Sequence, residues 1–233
     1  VRINKFISET GFCSRREADK LVESGKVTIN GETAVLGSQA EHGDDVRVNG
    51  RRIGEQRRHV YIALNKPVGI TSTSESHIKG NIVDFVGHAE RIFPIGRLDK
   101  DSEGLILMTN DGDVVNPILR SEGKHEKEYI VTVDKPLTEA FVRGMSQGVK
   151  VLGSLTLPCK VTRVGDRTFR IILTEGRNRQ IRRMCEAFGY HVRKLKRVRI
   201  MNIHLGELPV GKWRDLSEDE RRELFDLLQY QPR

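Results

Sequence analysis

The chain has 233 residues, 37% hydrophobic and 31% charged, and 40 Lys and Arg against 32 Asp and Glu give a formal net charge of +8. That is a soluble globular composition, and no apolar run approaches the ~20 residues that a helical bilayer span needs. Three well-separated cysteines, Cys13, Cys159 and Cys185, with no CxxC or HExxH pattern, argue for a reducing compartment and against a disulfide framework or a zinc site.

Residues 1–57 read as a small separate unit. INKFISETG places Ile3, Phe6 and Ile7 at helical spacing. A second helix opens with a capping box, Ser14 and Glu17, carries Ala18, Leu21 and Val22 on its apolar stripe, and stops at Gly25. Asn30-Gly31 and Asn49-Gly50 each divide short alternating runs, which predicts two tight hairpins. The polar GEQRRH, 54–59, is the expected linker.

A second domain, 60–233, opens with the strand VYIALNKP. Further strands are expected at 105–109, 128–133, 169–174 and 198–205, and helices at 81–93, 138–147 and 178–189. Another capping box, Ser217 with Glu220, starts a terminal helix. Strands and helices do not alternate strictly. This favours an α+β domain on a mostly antiparallel mixed sheet flanked by helices over a doubly wound fold.

Two stretches stand out chemically. GRLDKDSEG, 96–104, sets Asp99, Asp101 and Glu103 on alternate positions before Gly104. These approximate the first half of a calcium loop, but the twelfth position is Asn110, which cannot supply two carboxylate oxygens, and an apolar strand follows instead of a helix. A solvated turn and a functional carboxylate remain as readings. The position of Asp99, next to Arg97 and at the mouth of a sheet, suits a partly desolvated acid that stays ionised.

The second stretch, EGRNRQIRRMCEAFG, places Ile181, Met184, Cys185 and Phe188 on one helix face and gathers Arg177, Arg179, Arg182 and Arg183 at its start. Cations disfavour a helix N-terminus, so phosphates, carboxylates or both are expected to neutralise them. From Arg177 to Arg199 nine Lys and Arg accompany one acid, Glu186, as expected of a folded basic surface. Arg15 and Arg16, in the first turn of the second helix, and Lys5, one helix earlier, are further candidate phosphate contacts.

Taken together, LNKPVGI (64–70), GRLDKDSEGLILMTNDG (96–112), EKEY (126–129) and EGRNRQIRRM (175–184) resemble the motifs of bacterial ribosomal-RNA pseudouridine synthases of the small-subunit-uridine type. NIVDFVGHAERIFPIGRLDKDSEGLI and HEKEYIVTVDKP are most similar to the F branch of the large-subunit enzymes. The N-terminal unit resembles the alpha-L RNA-binding domain that precedes the catalytic domain in this family.

The resemblance implies that Asp99 is the catalytic aspartate and that Arg97 lies near a flipped nucleotide. It makes Tyr129 the residue that packs against the target base and a candidate to take the C5 proton. Arg182 becomes the basic partner of Asp99, with Arg177, Arg179 and Gln180 helping to hold the RNA, and Lys66 and Pro67 have a mainly structural part. The implied reaction isomerises a uridine of 23S rRNA without metal or organic cofactor, in a cytoplasmic monomer. In that setting TSTSESHIKGN, 71–81, is read as an RNA-facing loop. A non-catalytic RNA-binding or ribosome-assembly protein is the alternative.

Overall fold

The computed structural model describes residues 1–54, 58–120 and 124–232. It divides into two compact units, Val1–Val60 with Ala89–Arg91, and Tyr61–His88 with Ile92–Arg233. The centre of the expected linker, 55–57, lies outside the described residues.

In the first unit, helices α1 (Ile3–Glu9) and α2 (Arg15–Glu23) precede strands β1 (Val27–Ile29), β2 (Glu32–Thr33), β3 (Val46–Val48) and β4 (Arg51–Arg52). Both halves of the capping box form: the Ser14 hydroxyl accepts from Glu17 N and the Glu17 carboxylate accepts from Ser14 N. Such a cap stabilises a helix by about 1 kcal/mol. The Asn-Gly pairs adopt positive φ at both residues, 51° and 87° in one and 53° and 75° in the other, as two-residue hairpin turns require. Ile3, Phe6, Ile7, Ala18 and Val22 from the helices meet Val27, Val46 and Val48 from the sheet, which is ordered β2-β1-β3-β4.

The second unit begins with β5 (Tyr61–Lys66), α3 (Ile82–Val86), β6 (Phe93–Pro94) and β7 (Glu103–Thr109). A 3₁₀ turn at Gly112–Val114 leads into α4 (Val115–Leu119), followed by β8 (Lys127–Val133) and α5 (Glu139–Gln147). Next come β9 (Lys150–Val151), β10 (Ser154–Leu155), β11 (Lys160–Arg163), β12 (Thr168–Leu173) and α6 (Gln180–Ala187). The unit closes with β13 (Val192–Ile200), β14 (Ile203–His204), β15 (Trp213–Asp215) and α7 (Glu218–Leu228).

The main sheet runs β11-β12-β8-β13-β7-β5-β15, with β14 on β13 and β6 on β7. It is antiparallel except where β13 pairs parallel to β7, so the mixed α+β expectation holds. That parallel seam depends on Gly104. Its φ is +109°, and a Cβ there would sit 2.2 Å from the Arg197 carbonyl oxygen. Val131, Val133, Phe169, Ile171 and Leu195 of the sheet pack with Phe141 of α5 and with Met184 and Cys185 of α6. Tyr61, Leu105, Leu107, Ile118 and Leu224 anchor a second cluster.

Two element boundaries depart from the expected ones. The helix expected over 81–93 ends at Val86, because Gly87 takes a left-handed conformation and closes it, and Phe93–Pro94 pairs with β7 instead. The strand expected over 198–205 starts at Val192 and stops at Ile200, where Met201 turns at φ +52° and returns the chain as β14. The loop 71–81 is closed by a bridge between Thr71 and Asn81, with the Ser72 hydroxyl donating to Leu98 O at 2.8 Å.

Candidate active site

A cleft of about 540 Å³ opens in the second unit between the turn that precedes β7, strands β8 and β13, and the start of α6. Asp99, Arg97, Tyr129, Arg177, Arg179, Gln180 and Arg182 all line it. Lys5, Arg15 and Arg16 lie in the first unit, where Lys5 forms an ion pair with Glu9 and both arginines are exposed.

The aspartate turn is built by its own backbone and by the buried Lys66. Ser102 N donates to Asp99 O at 2.9 Å. The Lys66 ammonium donates to Pro67 O and Ile70 O at 2.8 and 2.9 Å, closing the loop after β5, and Gly69 N in that loop donates to Lys100 O at 2.7 Å. Burial pulls the Lys66 ammonium down to about 8, with Asp101 and Asp99 acting in the opposite sense.

Arg179 sits left-handed, φ +50°, at the position preceding α6, and its guanidinium lies over this turn. It donates to both Asp101 oxygens at 2.9 and 2.8 Å and approaches Asp99 Oδ2 at 3.6 Å. The left-handed backbone costs about 1–2 kcal/mol, which the bidentate charge-assisted contact offsets. Arg182 does not pair with Asp99 as expected. Its Nη2 donates to Asp101 O and Ser102 Oγ, both at 3.0 Å, and lies 3.5 Å from Asp101 Oδ1. Arg182 lies three residues, just under one turn, further along the chain than Arg179, so the two guanidiniums meet different atoms of the turn.

Asp101 is therefore the hub that neutralises the arginines at the helix N-terminus, and they hold its carboxyl below the usual range, Arg179 most strongly. It is neither a plain solvated turn residue nor free for a cation, since Arg179 takes both its oxygens, and Glu103 pairs with Lys194 at 3.3 Å. Gln180 and Arg177, expected to help hold RNA, also make contacts within the protein. Gln180 is buried; its Oε1 accepts from Arg177 N and its Nε2 donates to Glu175. The Arg177 guanidinium donates to Ser154 and Leu155, tying the β9–β10 hairpin to the loop before α6. Both residues shape the loop that carries Arg179.

The sequence reading did not single out Arg197 or Lys127. Arg197 is 4% exposed and donates from Nε to Leu105 O at 2.7 Å. Its signal was present: Leu195 and Arg197 share a strand face, and Leu195 is core. Burial pushes the Cys185 thiol up to about 12 and Cys159 and Cys13 to about 11, as inert structural thiols require. Among the described residues no helix is long and apolar enough to cross a membrane.

Comparison with known proteins places the chain in a family. Residues 60–187 match the family model described as RNA pseudouridylate synthase, and residues 1–46 match the S4 domain. The chain is 59% identical over 231 residues to the dual-specificity RNA pseudouridine synthase RluF of Escherichia coli (strain K12), covering 98% of this chain and 80% of that protein. It is 36% identical over 233 residues to the ribosomal large subunit pseudouridine synthase B of Bacillus subtilis (strain 168), covering 96% and 95%. A crystal structure of a pseudouridylate synthase superposes with a TM-score of 0.70 at 30% identity, covering 96% of this chain and 99% of that one. These relatives are enzymes, which sets aside a purely RNA-binding role. The chain belongs to the RNA pseudouridine synthase family, with an S4 domain ahead of the synthase domain.

Proposed function

We propose that the cleft isomerises a uridine of 23S rRNA and that Asp99 is the carboxylate that acts on the ribose. The observation that carries this reading is the division of labour between two acids. Asp101 occupies the guanidinium of Arg179 bidentately, while Asp99, on the cleft wall, is touched at 3.6 Å and keeps a carboxylate edge for substrate.

Pseudouridine formation breaks N1–C1′, turns the uracil and joins C5 to C1′. One carboxylate suffices, either attacking C1′ or removing the C2′ proton, and no hydrolytic water enters, so the paired acids of a glycosidase are not required. In this reading Arg179 orients Asp99, and Arg182 fixes the turn through Asp101 and Ser102. Tyr129, half-buried against the core and lining the cleft, offers its ring to the flipped base. Taking the base out of its stack costs a few kcal/mol, which stacking on Tyr129 and the exposed Arg97 at the rim offset in part. Lys5, Arg15 and Arg16 of the S4 domain contact phosphates. The enzyme works as a monomer in the cytoplasm, without metal or organic cofactor.

Pseudouridine mapping of 23S rRNA from cells with and without the gene tests this. One or more large-subunit sites should revert to uridine in its absence. An unchanged 23S map would sink the substrate assignment.

A further inference from the structure

The cleft holds a lysine that the reaction as described does not use. Lys127 lines it two residues before Tyr129 on β8, and the pleat puts both side chains on one face, roughly 7 Å apart along the strand. No acid pairs with Lys127 among the described residues. The carboxylates beside it in sequence, Glu126 and Glu128, are taken by Arg199 at 3.0 and 3.5 Å. Burial and the nearby charge of Arg197 both pull the Lys127 ammonium below the ordinary lysine value, and no carboxylate opposes them.

Arg197 is in the same condition. It stands opposite Tyr129 in the β13–β8 register, almost fully buried, and spends its donors on main-chain carbonyls, Leu105 O at 2.7 Å and Arg97 O at 3.5 Å. Among the described residues, then, the cleft holds two cations with no carboxylate in ion-pair contact, Arg197 almost fully buried and Lys127 partly buried, an arrangement that an arriving anion would stabilise. The mouth differs, with the exposed Arg97 and Arg120 placed for phosphates.

We infer that Lys127 is a further catalytic residue: its ammonium donates to a carbonyl oxygen of the target uracil and holds the negative charge the base acquires as N1–C1′ breaks. This rests on the reading above of Asp99 and Tyr129. When the bond breaks heterolytically its electron pair stays on the uracil and spreads over N1, O2 and O4. Lys127 remains protonated throughout and contributes a hydrogen bond, not a proton. The charge disappears when C5 bonds to C1′; the C5 proton then leaves to a base or water as N1 takes one up, so the base ends neutral with no net change in protons. A donor held where charge develops is a strong form of electrostatic assistance, and losing one costs about 100- to 1,000-fold in rate.

The test uses the full chain and the shortest 23S rRNA hairpin it modifies, carrying uridine, 2-thiouridine or 4-thiouridine at the target. In single turnover, Lys127→Gln should lose about 100-fold or more on uridine with RNA affinity within about threefold of wild type. On the thio-substrate whose sulfur replaces the bonded oxygen, wild type and Lys127→Gln should react at similar rates, because sulfur is a poor acceptor. A variant with full rate, or one with weakened RNA binding and an unchanged rate, overturns the proposal and makes Lys127 a bystander or a phosphate contact. Should the variant fail to fold, wild type alone decides: equal rates on all three substrates overturn it. Loss of activity in Asp99→Ala, measured alongside, tests the underlying reading separately.

Discussion

Replacing Gly104 with alanine probes the seam that holds the catalytic turn. Gly104 is the second residue of β7, five residues after Asp99, with Lys66 opposite on β5 and Arg197 opposite on β13. The new Cβ would lie 2.2 Å from Arg197 O and 2.7 Å from Arg197 N, both main-chain atoms that no rotamer change can move. Overpacking of that kind costs about 1–3 kcal/mol. A side chain at φ +109° adds about 1–2 kcal/mol, for a total of about 2–5 kcal/mol. In a domain of this size each kcal/mol shifts Tm by about 2–4 °C, so Gly104→Ala should melt about 4–20 °C below wild type. Gly153→Ala is the control: its φ is +83°, but nothing lies within 4 Å of its Cβ, so only the conformational cost applies. Displacing β7 also displaces Asp99 from Arg179, and a shift near 1 Å lowers the single-turnover rate about 100-fold. Calorimetry and single-turnover assays on both variants check this. Gly104→Ala melting no lower than Gly153→Ala, with full activity, would refute the reasoning.

Arg179→Ala should slow single turnover about 10- to 100-fold with a smaller effect on RNA affinity, since it removes the group that orients Asp99; an unchanged rate in rapid-quench assays would argue otherwise. Lys66 gives a pH signature. Its folded pKa of about 8 lies below the 10.5 of a free lysine. Between those values the unfolded chain binds more protons, so this group makes stability rise with pH, by about 2–3 kcal/mol across the window. Urea unfolding of wild type and Lys66→Met at pH 7.5 and 10 should show wild type gaining on the variant; a constant difference would contradict the buried charge. RNA affinity should fall linearly on a log–log plot against salt, and Arg15→Ala with Arg16→Ala should lower that slope by about 2. An unaltered slope in filter binding would remove both arginines from the RNA surface.

Much of the fold could be read from the sequence because local chemistry specified it. Capping boxes at Ser14 and Ser217 and positive φ at the Asn-Gly turns form as read. The apolar strands β5 and β7 were equally plain. Reading failed where a tertiary contact decided the outcome. β13 is a core strand whose dense Lys and Arg masked its alternation, so Leu195 and Arg197 were not seen to face inward. β6 exists only because β7 offers it an edge.

The site divides in the same way. GRLD and QIRR announced an acid and a cluster of arginines, but not which arginine meets which acid. That pairing is set by the left-handed backbone at Arg179, which carries its guanidinium over Asp101 and Asp99 and leaves Arg182 to Asp101 and Ser102. Lys127 and Arg197 stand out only once it is known that no described carboxylate pairs with either, and spacing does not encode that.

The most direct test of the account is tritium release from 23S rRNA labelled at uracil C5, with wild type and Asp99→Ala at matched folding and RNA affinity. The account predicts stoichiometric release by wild type and none above background by the variant. Release by Asp99→Ala at the wild-type rate would contradict it and return the reacting carboxylate to another residue.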